Sequence, residues 1–260
     1  MAVKVGIIGY RGFVGSAFYE VFQEGGKFEV TGIGRENYGG LKGSAFDILI
    51  NANGNSSKRL AETEPEKDFE MNVVATQHAL GDFPSKHYVH LSTVEVYNDK
   101  SRNETTQEDS GIDPSRLSNY GKSKYAGEQA ARRHKSFLIL RLAGMVGPGM
   151  KKGPAYDILH DGKLYLSEKS LLHFMDTREV ARIAMLLCRK GKWGETYNVA
   201  GRGALELSRF AGMAGVKLSS SGKETALFGI STQKLERETE VMPSEEAVRA
   251  FIAEWERGKA

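Results

Sequence analysis

The sequence predicts an α/β fold: a doubly wound parallel sheet with helices on both faces, followed by a small C-terminal lobe. Three observations predict it. Short β-branched runs alternate with segments of helical period over most of the chain. A glycine-rich turn joins the first run to the first helical segment. After Gly147 the alternation weakens, and Gly147-Pro148-Gly149 and Gly153-Pro154 punctuate the chain, which marks a change of lobe.

The elements follow in order. Val3–Ile8 is a short β-branched run ending at Gly9, as a buried strand does. Val14, Ala17, Phe18, Val21 and Phe22 recur at helical spacing over 14–24, and Gly25-Gly26 stops that helix. Phe28–Ile33 and Phe46–Asn51 are the second and third strands. Phe69, Val73, Thr76 and Leu80 give 67–80 a helical pattern. Residues 87–91 form a fourth strand, 118–134 a helix, Phe137–Leu142 a fifth strand and Thr177–Arg189 another helix. A closing helix over 243–257 starts with Ser244 as expected N-cap and Glu245 and Glu246 in its first turn.

Composition excludes several classes. The 260 residues are enough for a sizeable core, and 40% hydrophobic with 27% charged is ordinary for a globular protein. A net charge of +3 without any Lys/Arg block argues against nucleic acid as partner. The single cysteine, Cys188, permits no internal disulfide and lies in an apolar helical run, as a core thiol does. No stretch approaches the roughly 18–20 apolar residues of a membrane span. The N-terminus turns to glycine too soon for a signal peptide, so the cytoplasm is the expected location. His87, His90 and His134 show no metal-ligand spacing, and no metal is expected.

Gly9-Tyr10-Arg11-Gly12-Phe13-Val14-Gly15 stands between the first strand and the first helix with G-x-x-G-x-x-G spacing. Glycines there permit a tight turn and a close backbone approach to a pyrophosphate lying on the helix N-terminus. Gly9, Arg11, Gly12, Phe13, Val14 and Gly15 are therefore expected to bind a dinucleotide. At the end of the second strand, where NAD enzymes place an acid for the ribose 2′-hydroxyl, stands Ile33-Gly34-Arg35, with Glu36 one position late. Arg35 and Arg11 both suit a 2′-phosphate, so NADP is expected in preference to NAD.

Tyr120 and Lys124 lie four apart on an expected helix, hence on one face. An ammonium beside a phenol favours the phenolate, and Lys124 is also placed to hold a nicotinamide ribose. Tyr120 then exchanges a proton with a substrate hydroxyl or carbonyl while the cofactor exchanges the hydride. Upstream, Ser92 and Thr93 end the fourth strand, where a doubly wound sheet presents ligand groups. Strand alternation points them to opposite faces, and Thr93 is preferred as the partner of Tyr120.

GYRGFVG, NANG (51–54), STVEVY (92–97), YGKSK (120–124), RLAGMVGPG (141–149), FMDTREVA (174–181) and YNVAG (197–201) occur in this order. The chain thereby resembles the extended short-chain dehydrogenases, the NAD(P)-dependent epimerase/dehydratase family, over nearly its whole length. The resemblance implies a Rossmann domain over 1–146 and 174–201, and a small lobe over 147–173 and 202–260 that binds a nucleotide sugar. It implies Thr93, Tyr120 and Lys124 as the catalytic set, Asn53 at the cofactor, and Asn72 on the helix behind the site. It also implies a homodimer through the helix that carries Tyr120. The glycine loop is similar to that of the NADP-dependent GDP-fucose synthases, which supports Arg11 as a phosphate contact.

Two departures bear on the chemistry. Sugar dehydratases of the family carry an aspartate where this chain has Val94, although Glu95 is present as a candidate base. An arginine that precedes the phenylalanine of FMDTREVA is missing; Lys169 and His173 are the nearest substitutes. A sugar reductase or epimerase is the reading these features favour. The alternatives are a nucleotide-sugar dehydratase or decarboxylase with internal NAD redox, and a non-catalytic dinucleotide sensor.

Overall fold

The computed structural model describes residues 2–257 and divides the chain into two compact units. The first runs from the N-terminus through Asn98, with Gly111–Arg141 and Val180–Tyr197. The second comprises Asp99–Ser110, Leu142–Glu179 and the chain from Asn198 onward. Residues 99–110, expected in the first lobe, group with the second unit. Thr106 explains this: its hydroxyl donates to Gly229 O at 2.7 Å and accepts from Ser231 N at 3.0 Å.

The main sheet has six strands in the spatial order Phe28–Ile33, Val3–Ile8, Phe46–Asn51, Ser85–Thr93, Phe137–Leu142, Glu195–Val199. The Val3–Ile8 strand pairs in parallel with strands on both sides, Ile8 opposite Ile33 on one and Asn51 on the other. The chain leaves this central strand in one direction and returns on the other side. That reversal opens a crevice at the strand's carboxyl end, directly before the glycine loop. Val5, Ile7, Leu49, Ile50, Tyr88 and Val89 are fully buried, as strands covered on both faces require.

The helix between Pro65 and Asp82 is not uniform. Pro65–Phe69 and Ala75–Asp82 are α-helical, but Glu70–Val74 forms a π-helical turn. The sequence pattern reads one continuous helix there, because the extra residue of a π turn leaves no compositional trace. Such turns often stand at functional sites, and this one carries Asn72.

The second unit holds two small sheets. Gly144–Val146 runs parallel to Phe174–Asp176, and Leu171–Leu172 runs antiparallel to Leu205–Glu206. Ser244 does not act as the expected N-cap. It is the first residue of helix Ser244–Arg257, and its hydroxyl is committed elsewhere: it donates to Gly203 O and accepts from Phe174 N.

Candidate active site

The glycine loop is shaped by contacts that only glycine tolerates. Gly9 has φ +79, and its N–H donates to Ile33 O at 2.9 Å. A Cβ on Gly15 would stand 2.1 Å from Gly9 O, so the helix Phe13–Glu24 approaches the strand end as closely as backbone allows. No side chain caps that helix at Gly12. Its first-turn N–H groups therefore face the crevice with the dipole's positive end behind them. This cradle fits a dinucleotide pyrophosphate, and Gly9, Gly12, Phe13, Val14 and Gly15 all belong to it. Asn53, exposed on the neighbouring strand end, is turned by its N–H to Asn51 Oδ1 at 3.1 Å.

At the end of the second strand the two arginines differ. Arg35 is exposed, and among the described residues its guanidinium makes no hydrogen bond or ion pair. Arg11, read from sequence as an open phosphate contact, is already paired: its guanidinium lies 3.0 Å from Glu36. Tyr10 also donates to Glu36 at 3.0 Å. Glu36 folds back over the glycine loop because its own backbone N–H, Tyr10 and then Arg11 stabilise the carboxylate, holding its pKa below the usual range. An acid that looked one position late is thus brought to the strand end.

Thr93 and Tyr120 converge. Thr93 ends its strand with extended backbone, and Tyr120 opens the helix Asn119–Ala131, which Ser118 caps by accepting from Gly121 N at 3.2 Å. A Cβ on Gly121 would meet Glu95 O at 2.8 Å, so the helix start packs directly on the turn after Thr93. The Thr93 hydroxyl lies near enough to the Tyr120 phenol to act on its ionisation. Ser92 points the other way and donates to Glu128 at 2.6 Å, below the helix.

One electrostatic expectation needs correction. The ammonium of Lys124 does not depress the phenol of Tyr120 in this structure. Lys124 donates to Leu91 O at 2.9 Å. Burial raises the Tyr120 pKa well above its ordinary value, the charge of Glu95 raises it further, and the Thr93 hydroxyl opposes them. Burial also pulls Lys124 down to about 8, against the opposing pull of Glu128 and Asp68.

Three residues of the site carried no signal in the sequence. Lys58, in the polar stretch after Gly54, forms an ion pair with Glu95 at 2.5 Å. Asn55 and Asp68 join Asn72 and Ser123 in a buried polar cluster behind Tyr120. Asn55 and Asn72 donate to Asp68 Oδ1 at 2.6 and 2.8 Å, and Ser123 donates to Asp68 Oδ2. Asn72 thus lies on the helix behind the site and reaches Ser123 at 3.0 Å. A second buried cluster supports the same helix from beneath. Arg141 forks Glu128 with bonds of 3.0 and 2.9 Å and reaches Tyr97 OH at 2.9 Å.

Other candidates have structural roles. His173 is buried and bonded to Gly201 O at 2.8 Å and Ile230 N at 3.0 Å, which leaves it no ring nitrogen for a diphosphate. Lys169 is exposed. His87 stacks on Trp193 with centroids 4.0 Å apart, and His134 bridges Ser136 O and Ser85 O. Cys188 is buried, and burial pushes its thiol up to about 12. Among the described residues, no group of three or more His, Cys, Asp or Glu is placed to hold a metal, and no helix is long and apolar enough to cross a membrane.

The whole architecture has counterparts among solved structures. A UDP-galactose 4-epimerase superposes with TM-score 0.81 at 22% identity, covering 98% of this chain and 99% of that one. A dTDP-4-dehydrorhamnose reductase from Bacillus anthracis str. Ames, in complex with NADP, has TM-score 0.80 at 18% identity, with coverage of 98% and 99%. TunA, an NAD dependent NDP-hexosamine 5,6-dehydratase, has TM-score 0.79 at 18% identity, with coverage of 98% for both. No curated protein matches the sequence. At these identities the superpositions establish the fold. The sequence itself matches the model of the NAD dependent epimerase/dehydratase family over residues 5–200, from within the first strand to Ala200 of YNVAG, and the chain belongs to that family.

Proposed function

We propose that the protein is a reductase or epimerase of a nucleotide-linked sugar that uses NADP in preference to NAD, with Tyr120 as proton donor and acceptor. The observation that carries this reading is the convergence of Thr93 and Tyr120 at a strand end, where the Thr93 hydroxyl acts on the Tyr120 phenol, with Lys124 one helical turn beyond. A nicotinamide dinucleotide, when bound, supplies or receives the hydride. Tyr120 gives its proton to a sugar carbonyl oxygen or takes one from a sugar hydroxyl. Thr93 orients that same oxygen. Lys124 holds the nicotinamide ribose, and the buried ring of Tyr120 excludes water from the reacting face. Gly9, Gly12, Phe13, Val14 and Gly15 hold the pyrophosphate, and Asn53 lies along the cofactor on the neighbouring strand end. Arg35 and, once released from Glu36, Arg11 take the 2′-phosphate.

A second reading has its own support. Glu36 at the strand end suits a ribose 2′-hydroxyl, and Glu95, held beside Tyr120, suits a base for dehydration or decarboxylation with NAD retained through the cycle. A homodimer belongs to both readings. The outer face of the Tyr120 helix carries a shallow groove of about 300 Å³ lined by Val73, Tyr125, Ala126 and Ala130, which a second copy would cover.

A thermal-shift screen of nucleotide sugars with NADPH or NADH separates the readings. A ligand at 100 times its Kd stabilises by about 2.7 kcal/mol. The proposal expects stabilisation by NADPH, and further stabilisation by at least one nucleotide sugar. Protein purified with tightly held NAD supports the second reading instead, and no response to any dinucleotide contradicts both.

A further inference from the structure

We infer that Gly34 is a positioning residue for cofactor choice: by leaving room for the Glu36 carboxylate, it keeps Arg11 tied to Glu36 and away from a 2′-phosphate. The inference rests on the reading of Arg11 as a phosphate contact. Gly34 directly follows the strand Phe28–Ile33. Its φ lies outside the left-handed region, so backbone conformation does not explain the glycine. Its N–H donates to Asn37 Oδ1 at 2.8 Å and its carbonyl accepts from Tyr38 N at 2.9 Å, bonds that an alanine would keep. What a Cβ would meet is Glu36, with Oε2 at 2.5 Å and Oε1 at 2.7 Å. The carboxylate therefore rests on bare backbone, and that close approach is what the glycine permits.

The glycine loop holds the carboxylate there. Tyr10 lays its ring over Gly32, where a Cβ would come within 2.6 Å of it, and packs on Tyr19 with centroids 5.2 Å apart. So placed, its hydroxyl donates to Glu36 Oε1 at 3.0 Å, and the Arg11 guanidinium lies 3.0 Å from the same oxygen. Arg11 also covers the Tyr10 ring, 5.2 Å from its centroid. The titratable and charged groups that meet Glu36 are thus Tyr10 and Arg11, both from the loop. Its own turn supplies its backbone N–H and the backbone of Gly34. The Arg11 and Glu36 side chains are 68% and 42% exposed, and a pair so exposed is weak. A single methyl group at position 34 is enough to undo it, because the end of a flexible side chain moves at little cost. With glycine, Glu36 stays at the strand end and occupies Arg11. With a Cβ, Glu36 swings out, and a 2′-phosphate meets a free guanidinium without a facing carboxylate. Gly34 thereby moderates the preference for NADP that Arg35 and Arg11 confer.

The test begins without any cofactor. NMR of 13C-carboxyl-labelled glutamate follows the titration of Glu36, with its signal assigned by loss in Glu36→Gln. In wild type the midpoint lies below the ordinary glutamate value, held there by the backbone N–H, Tyr10 and Arg11. Gly34→Ala should move it upward. Urea denaturation of Gly34→Ala should match wild type, since only the Glu36 side chain has to move. Isothermal titration then compares the dinucleotides. Gly34→Ala should raise the ratio of NADP to NAD affinity by about two- to fivefold. Placed in Glu36→Gln, the same change should alter the ratio no further, because the carboxylate it acts through is gone. An unmoved midpoint, a marked loss of stability, an unchanged ratio or an equal rise in the Glu36→Gln background overturns the inference. A wild type that prefers NAD, with Gly34→Ala still moving midpoint and ratio, supports the inference and contradicts the proposed NADP preference. If neither dinucleotide binds, the midpoint decides alone.

Discussion

Tyr120 and Lys124 stand four residues apart, and helical periodicity alone aligns them. Their partners are what periodicity cannot supply. Glu95 and Asp68 reach the tyrosine from segments 25 and 52 residues upstream, and Lys58 reaches Glu95 across 37 residues. Lys58 and Asp68 sit in polar, charged stretches that look like solvated surface in sequence, so neither stands out. The same limit applied at the cofactor end. Arg11 and Arg35 were visible as arginines, whereas the pairing of Arg11 with Glu36 depends on how the chain turns after Gly34. That pairing makes a specific prediction. Arg35→Ala should weaken NADP binding and leave NAD nearly unchanged, because only the 2′-phosphate contact is lost. Glu36→Gln should tighten NADP relative to NAD by releasing Arg11 and removing a like charge from the phosphate site. Isothermal titration of both dinucleotides into the three proteins measures the ratios. A Glu36→Gln protein that loses NAD affinity without gaining NADP selectivity favours the role of Glu36 on a ribose hydroxyl.

Among elements, the first strand, the glycine loop and the first helix were the most legible, because each has a local cause. Val3–Ile8, Phe28–Ile33, Phe46–Asn51 and Phe137–Leu142 appear with the bounds their β-branched and apolar runs suggest. The π turn at Glu70–Val74 and the bonding of Ser244 at the start of the last helix were not legible. Both depend on side chains bonded to distant backbone: Asn72 to Asn55 N at 3.0 Å, and Ser244 to Phe174 and Gly203. The glycine loop gives the sharpest element-level test. Alanine is favoured over glycine within a helix by up to about 1 kcal/mol. At Gly15 the added Cβ would instead collide with Gly9 O. Gly15→Ala should therefore destabilise by about 1–3 kcal/mol and weaken dinucleotide binding at least tenfold, or about 1.4 kcal/mol. Chemical denaturation and cofactor titration check both, and a stabilised variant with unchanged affinity contradicts the described loop.

For the molecule as a whole, acid sensitivity follows from His90, buried beneath the Tyr120 helix with neither ring nitrogen hydrogen-bonded among the described residues. Its pKa is lowered from 6.5 to about 3 by burial. The unfolded chain binds a proton there below pH 6.5 while the folded chain does not, so stability is full above 6.5 and is lost as pH falls towards 3. At pH 5 this amounts to roughly 2 kcal/mol from that residue. The paired carboxylates Asp47, Asp82 and Asp99, whose pKa values are lowered, act in a more acidic window. Urea denaturation of wild type and His90→Leu at pH 7.5 and pH 5 should show a smaller loss in the variant, and equal losses contradict the burial. Membership of the NAD dependent epimerase/dehydratase family agrees with the strand order and the glycine loop, but the chemistry rests on Tyr120. The most direct measurement is turnover over a panel of nucleotide sugars, followed as NADPH absorbance for reduction and as interconversion of sugar epimers by NMR for epimerisation, in wild type and Tyr120→Phe, with cofactor affinity measured alongside. The variant keeps the ring and loses one oxygen, so packing and cofactor binding should barely change, while turnover falls by about 10²–10⁴-fold. Turnover in Tyr120→Phe close to that of wild type would contradict the proposed proton transfer even with the fold unchanged.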